Sequence, residues 1–235
     1  MFSYHADVIE RYPTIRAGVV HAVGLSNGPS PAPLKDEFQT QQFASRSALE
    51  DRTLSAVPSI AAWCRAFSSF GVKPTQYRNA AEALLRRLVK RGDVPSINLL
   101  VDIANLVAIR YALPVAAFDQ AEVTGSTKVR LADGTERFTD LGSGRVVPPQ
   151  PGEVVFVDQA GLVSARRWCW RQSRQSATSP RTSEALFTVE GQHNTAAEDV
   201  AAAANDIMLF LMRYQPDARL EVSLLSPENP RFGHG

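Results

Sequence analysis

The chain has 235 residues, 44% of them apolar, with 25 basic and 24 acidic side chains and a formal net charge of +1. That is enough apolar material for a full core, and one compact unit over residues 1–235 is expected. A near-neutral chain does not coat DNA through a general field, so nucleic-acid contact has to come from local clustering and no DNA specificity is expected.

Residues 14–25, TIRAGVVHAVGL, are rich in β-branched residues and end at Gly24, which predicts a strand closed by a turn. Residues 26–45 carry Pro29, Pro31 and Pro33 and read as a surface connection, the most mobile part of the chain. Three helices are predicted next, over 58–70, 76–91 and 96–113. In the second, Ala81, Leu84, Leu85, Leu88 and Val89 form an apolar stripe, and Arg78, Arg86, Arg87, Lys90 and Arg91 lie outside it with one acid, Glu82. The third is apolar nearly all round and is expected to be buried, with Ser96 as its N-cap. Asn98, Asp102 and Asn105 recur on it at i, i+4 and i+7, a polar stripe that has to meet either a protein network or a ligand.

From residue 114 short strands take over: PVAAFD, a hairpin KVRLADGTERF with Asp133-Gly134 at its tip, then EVVFVDQAG, GLVSARRWCW and ALFTVEG. A last helix is expected to open with a capping box, Thr195 and Glu198, and to bury Val200, Ala204, Ile207, Met208 and Leu211. ARLEVSLL follows as a strand with Leu220, Val222 and Leu224 inward, and residues 226–235 read as a loose tail.

Residues 161–191 stand out. Between Asp158 and Glu184 there is no acid, yet Arg166, Arg167, Arg171, Arg174 and Arg181 fall there beside Trp168, Trp170 and seven serines and threonines. Planar cations next to large rings suit a ligand with phosphate and base, and they equally describe a solvated arginine-rich strand. Glu190 ends an apolar strand before Gly191, where a carboxylate faces a cavity or pairs with an arginine. His193 lies just beyond it.

No phosphate-binding glycine loop, nucleophile elbow or HExxH is present, which argues against phosphoryl transfer, Rossmann redox chemistry and metalloproteolysis. Cys64 and Cys169 lack metal-ligand spacing, so neither metal nor cofactor is expected, and two free thiols fit a reducing compartment. The first residues have no signal-peptide core, and no run reaches the roughly 20 apolar residues that span a bilayer. No membrane association and a cytoplasmic location are the expectations; the oligomeric state is open.

The run SINLLVDIANLVAIRYALPVAAFD resembles a motif of the B3/B4 editing domain in the beta subunit of phenylalanyl-tRNA synthetase. There an S-I-N-x-x-V-D-I-x-N helix leads into a P-x-x-A-F-D strand. YRNAAEALLRRL, PGEVVFVD, RRWCWR and ALFTVEG are similar to stand-alone proteins built on that domain, and the likeness covers almost the whole chain. The resemblance implies an α+β editing-domain fold and a hydrolase that deacylates mischarged tRNA at its 3′ aminoacyl end. It implies substrate recognition by Glu190 and a role for Asn105. Ala104 and Ala116 stand where the synthetase domain has threonine and histidine. On this basis Asn105, Glu190 and Asn98 are the expected catalytic group. Asp102, Arg166, Arg167, Trp168, Trp170, Arg171, His193 and Ala116 are the expected substrate-binding residues, with tRNA as the partner. An RNA-end binding module without catalysis, or a hydrolase of small amino-acid esters or amides, remains as an alternative.

Overall fold

A computed structural model describes residues 1–50 and 52–233. Along the chain run β1 (Phe2–Tyr4), α1 (Ala6–Arg11), β2 (Arg16–Val23), α2 (Ala32–Ala48), α3 (Pro58–Ser69), α4 (Ala80–Arg91), α5 (Leu99–Tyr111), β3 (Val115–Asp119), β4 (Thr127–Leu131), β5 (Phe138–Thr139), β6 (Val146–Val147), β7 (Val154–Val157), β8 (Val163–Arg166), β9 (Arg171–Gln172), β10 (Glu184–Gly191), α6 (Ala196–Tyr214), β11 (Arg219–Leu225) and β12 (Arg231–Phe232). The strands form a six-stranded sheet ordered β12-β1-β4-β7-β8-β9, a four-stranded sheet ordered β11-β2-β10-β3, and a β5-β6 pair. The β1–β4 pairing is parallel, and the four-stranded sheet is antiparallel throughout. The fold is α+β, as expected.

Strands β2, β10 and β3 of the four-stranded sheet are largely buried on both faces, and the side-chain alternation of these strands sorts residues between two cores. On β2, Val20 and Ala22 join the helices α2, α4, α5 and α6, while Ala17 and Val19 face the six-stranded sheet. On β10, Ala185, Phe187 and Val189 take the helical side. Leu186, Thr188 and Glu190 therefore point into the space between the sheets. That space holds an aromatic cluster of Phe2, Tyr4, Tyr12, Trp63, Phe67, Phe118, Phe156 and Trp168. Helix α6 packs so tightly on β2 that a Cβ at Gly18 would sit 2.7 Å from Ala204 Cβ.

Several expectations are corrected. Residues 26–45 are not a surface connection: Ala32–Ala48 is a helix burying Leu34, Phe38 and Gln42. Its prolines open it, since the first turn needs no intrahelical N–H donor there. KVRL and ERF do not form a hairpin. β4 pairs with β1 and β7, β5 with β6, and Glu136 closes the Asp133-Gly134 turn by accepting from both backbone N–H groups at 3.0 Å. Thr195 makes no capping bond but donates to Asp199 at 2.7 Å. The helix expected from 96 starts at Leu99 with Asn98 as N-cap, and Ser96 donates to Asp102 at 2.5 Å instead. β11 joins the sheet at its edge, yet Val222 and Leu224 are 46% and 50% exposed rather than inward. In the supposed loose tail, Arg231–Phe232 pair with β1; residues 234 and 235 lie outside those described.

Candidate functional site

Between the two sheets and the start of α5 lies a cavity of about 120 Å³, enough for a small ring or a branched aliphatic group. Its walls are mostly small and apolar: Ala104 on α5, Ala116 and Ala117 on β3, Ala165 on β8 and Phe156 on β7. Ala116 sits opposite Thr188 in the β3–β10 ladder, so the two line the cavity side by side.

One carboxylate interrupts this lining. Glu190 is 2% exposed, and both of its hydrogen-bond donors converge on Oε1. The Trp168 indole N–H donates at 2.8 Å, and the Tyr4 hydroxyl donates from the N-terminal strand. Among the described residues no side chain or backbone group bonds Oε2. Burial pushes the Glu190 carboxyl up to about 7, against the lowering effect of its two hydrogen bonds. Burial and the nearby Glu190 also push the Tyr4 hydroxyl and the Cys169 thiol well above their usual values, so both stay protonated.

The turn joining β8 to β9 shapes the opposite wall. Arg166 and Arg171 pair across it, and Arg167 and Trp168 adopt left-handed backbone with φ 45° and 58°, a conformation disfavoured for bulky residues and often found at functional sites. This turn sends Trp168 into the core against Tyr12 and Trp63, at ring separations of 4.8 and 5.1 Å. It leaves Trp170 half-buried at the cavity, with the Arg167 and Arg171 guanidiniums 4.6 and 4.8 Å from its ring centre. Arg167 also lies 3.8 Å over Tyr77. Arg171, on the rim, pairs with Asp140 at 2.9 Å.

Of the residues expected at the site, Asn105, Glu190, Trp168, Trp170, Arg171 and Ala116 line this cavity; five do not. Asn98 caps α5 by accepting from Val101 N–H at 3.0 Å. Asp102 is fully buried in a separate network, accepting from Ser30, Ser96 and the Ile97 N–H at 2.6, 2.5 and 2.8 Å. The polar stripe on α5 thus splits between a cap, a network and the cavity. Arg166 is buried against Glu153, with Nε and Nη2 at 3.1 and 2.5 Å, and cannot serve as a phosphate ligand here. Arg167 is committed to its two rings and to Glu153 at 3.5 Å. His193 bonds Asp199 at 2.8 Å, away from the cavity. Trp168, expected to bind substrate, is fully buried and donates to Glu190. Tyr4, Phe156, Ala165 and Cys169 escape sequence reasoning: each looks like an ordinary core residue until the chain folds.

A B3/4 domain model matches residues 62–207, more than half of the chain, taking in Asn105, Ala116, Trp168 and Glu190 but not Tyr4. The beta subunit of phenylalanine–tRNA ligase from Shewanella oneidensis is 33% identical over 94 residues, which is 40% of this chain and 12% of that subunit. The corresponding subunit of Pseudomonas syringae pv. syringae is 28% identical over 122 residues, 52% of this chain and 15% of the subunit. The chain therefore matches only a small part of these relatives' length. An N-terminal fragment of the phenylalanyl-tRNA synthetase beta-subunit from Pyrococcus horikoshii superposes on 94% of this chain and 50% of its own, with TM-score 0.48 and 12% identity. On the extent of the domain match, the chain belongs to the B3/4 domain family.

Proposed function

We propose that the cavity receives the aminoacyl 3′ end of a mischarged tRNA and that the domain hydrolyses the ester. The observation that carries this reading is the Glu190 carboxyl, buried in a mostly apolar chamber with one oxygen held by Tyr4 and Trp168. A buried carboxylate without a cation is costly, and an α-ammonium group supplies that cation. An aminoacyl ester is an activated acyl group, so holding it in place beside a water can replace a strong nucleophile. The water oxygen bonds to the carbonyl carbon, the bond to the 3′ oxygen breaks, and that oxygen leaves with a proton as the ribose hydroxyl. Asn105 on the cavity wall orients the water or the carbonyl, and Trp170 and Arg171 at the rim meet the terminal base and phosphate. The small chamber then acts as a second sieve, rejecting side chains it cannot hold.

The test is deacylation of a panel of mischarged tRNAs by wild type, Glu190→Gln and Asn105→Ala. At least one tRNA is deacylated by wild type, and both variants lose roughly 100-fold or more, the size expected for removing a group that acts in the transition state. Normal tRNA binding with no turnover across the panel would discard the hydrolase and leave an RNA-end binding module. Turnover of free amino-acid esters with none on tRNA would instead mark a small-molecule esterase.

A further inference from the structure

We infer that Tyr4, on an N-terminal strand outside the matched B3/4 region, is a positioning residue that holds Oε1 of Glu190 so that Oε2 faces the occupant of the cavity. The inference deepens the proposed function and rests on it for the identity of that occupant. Residues 4 and 190 are brought together by strand pairing at the start of the chain. Phe2–Tyr4 lie parallel to β4, with Tyr4 opposite Val129, and Phe2 pairs with Phe232 of β12 on the other side. Backbone bonds from Thr127 N–H to Met1 C=O at 2.9 Å, from His5 N–H to Val129 C=O at 2.8 Å and from Tyr4 N–H to Pro230 C=O at 3.0 Å fix the strand at both ends. Strands β1 and β12, each outside residues 62–207, thus hold one side chain against the cavity carboxyl. Two donors on a single oxygen fix the plane of the carboxyl group as well as its position, which one donor cannot do.

The surroundings make Tyr4 a steady donor. Burial keeps its hydroxyl protonated. Among the described residues, the other titratable group that Glu190 acts on is Cys169, likewise held protonated by burial; Arg171 reaches the cavity rim, and β2 places Ala17 opposite Glu190. Loss of the Tyr4 hydroxyl therefore removes one of two interactions that favour the ionised carboxylate and leaves the burial that opposes it.

The test follows the Glu190 side-chain carbon by NMR in protein labelled with 13C-glutamate, with Glu190→Gln identifying the signal. Wild type is expected to titrate near 7, and Tyr4→Phe at a pH higher by roughly one to two units. A 3-fluorotyrosine at position 4, a stronger donor of almost the same shape, moves the midpoint down and covers the case in which Tyr4→Phe does not fold. Tyr12→Phe is the control: it loses a hydroxyl that bonds Ser69 at 2.9 Å in the same aromatic cluster, without touching Glu190, and its midpoint stays at the wild-type value. Deacylation by Tyr4→Phe at neutral pH falls about tenfold and recovers as pH rises, which a loss of folded protein would not do. A folded Tyr4→Phe that titrates like wild type overturns the inference. A shifted midpoint without turnover of any mischarged tRNA overturns the proposed reaction and leaves the Tyr4 assignment standing.

Discussion

At pH 8, Glu190→Gln is expected to be more stable than wild type, by up to about 3 kcal/mol, while at pH 4 the two are expected to match. The Glu190 carboxyl rises from 4.5 to about 7 on folding because burial penalises the ionised form, and each unit is worth about 1.4 kcal/mol. A folded-state value above the unfolded one means that folding favours the protonated form. The stabilisation is whole below about 4.5 and is lost as pH rises through about 7. Wild type therefore pays for an ionised, buried carboxylate at pH 8, and glutamine does not. Glutamine keeps an acceptor for Tyr4 and Trp168, so those bonds survive. Urea denaturation of both proteins at the two pH values measures the difference, and equal stabilities at pH 8 would mean that solvent reaches the carboxyl freely. A wild-type residue that lowers stability at neutral pH, in a cavity, is the pattern expected where function opposes stability.

The second large effect lies behind the cavity wall. Glu153→Ala should cost about 3–5 kcal/mol, because it strands the Arg166 guanidinium in the interior. Glu153 is buried, receives two bonds from Arg166, and has the Arg167 guanidinium at 3.5 Å. Trp168 N–H donates to the Val154 carbonyl at 2.6 Å next to this pair, so the strained turn and the ion pair are built together. A double change, Glu153→Leu with Arg166→Met, should recover most of the loss, since an apolar pair of similar volume needs no desolvated charge. Thermal unfolding reads both: a drop of roughly 10 °C for the single variant, against a small one for the double. A single variant within about 1 kcal/mol of wild type would place the pair in water.

The sequence pattern reveals the helices α3, α4, α5 and α6 and the strands β2, β7, β8 and β10, because these run long enough for period and β-branching to speak. It misleads where one local signal carries two meanings. Three prolines spell a connection, yet Pro31 and Pro33 open α2. Asp133-Gly134 spells a hairpin tip, yet the β4 edge is already taken by β1 and β7. The polar stripe on α5 has helical spacing only on paper, since Asn98 has φ −156° and stands outside the helix. Glu190 is legible in sequence because a carboxylate in an apolar strand needs a reason. Tyr4 is not, since its partner lies 186 positions away and only the fold joins them. The arginine and tryptophan stretch divides likewise: Trp170 and Arg171 reach the cavity, Arg166 does not.

The proposed role of Glu190 is to receive the ammonium group of an aminoacyl end in the cavity. The most direct measurement is the Glu190 13C titration, taken alone and with a 3′-aminoacylamido adenosine, whose amide cannot be deacylated as an ester. Binding through the ammonium group draws the carboxyl well below its ligand-free midpoint, because the cation now offsets the cost of burial. A saturating ligand that leaves the midpoint in place, or moves it up, would contradict the account.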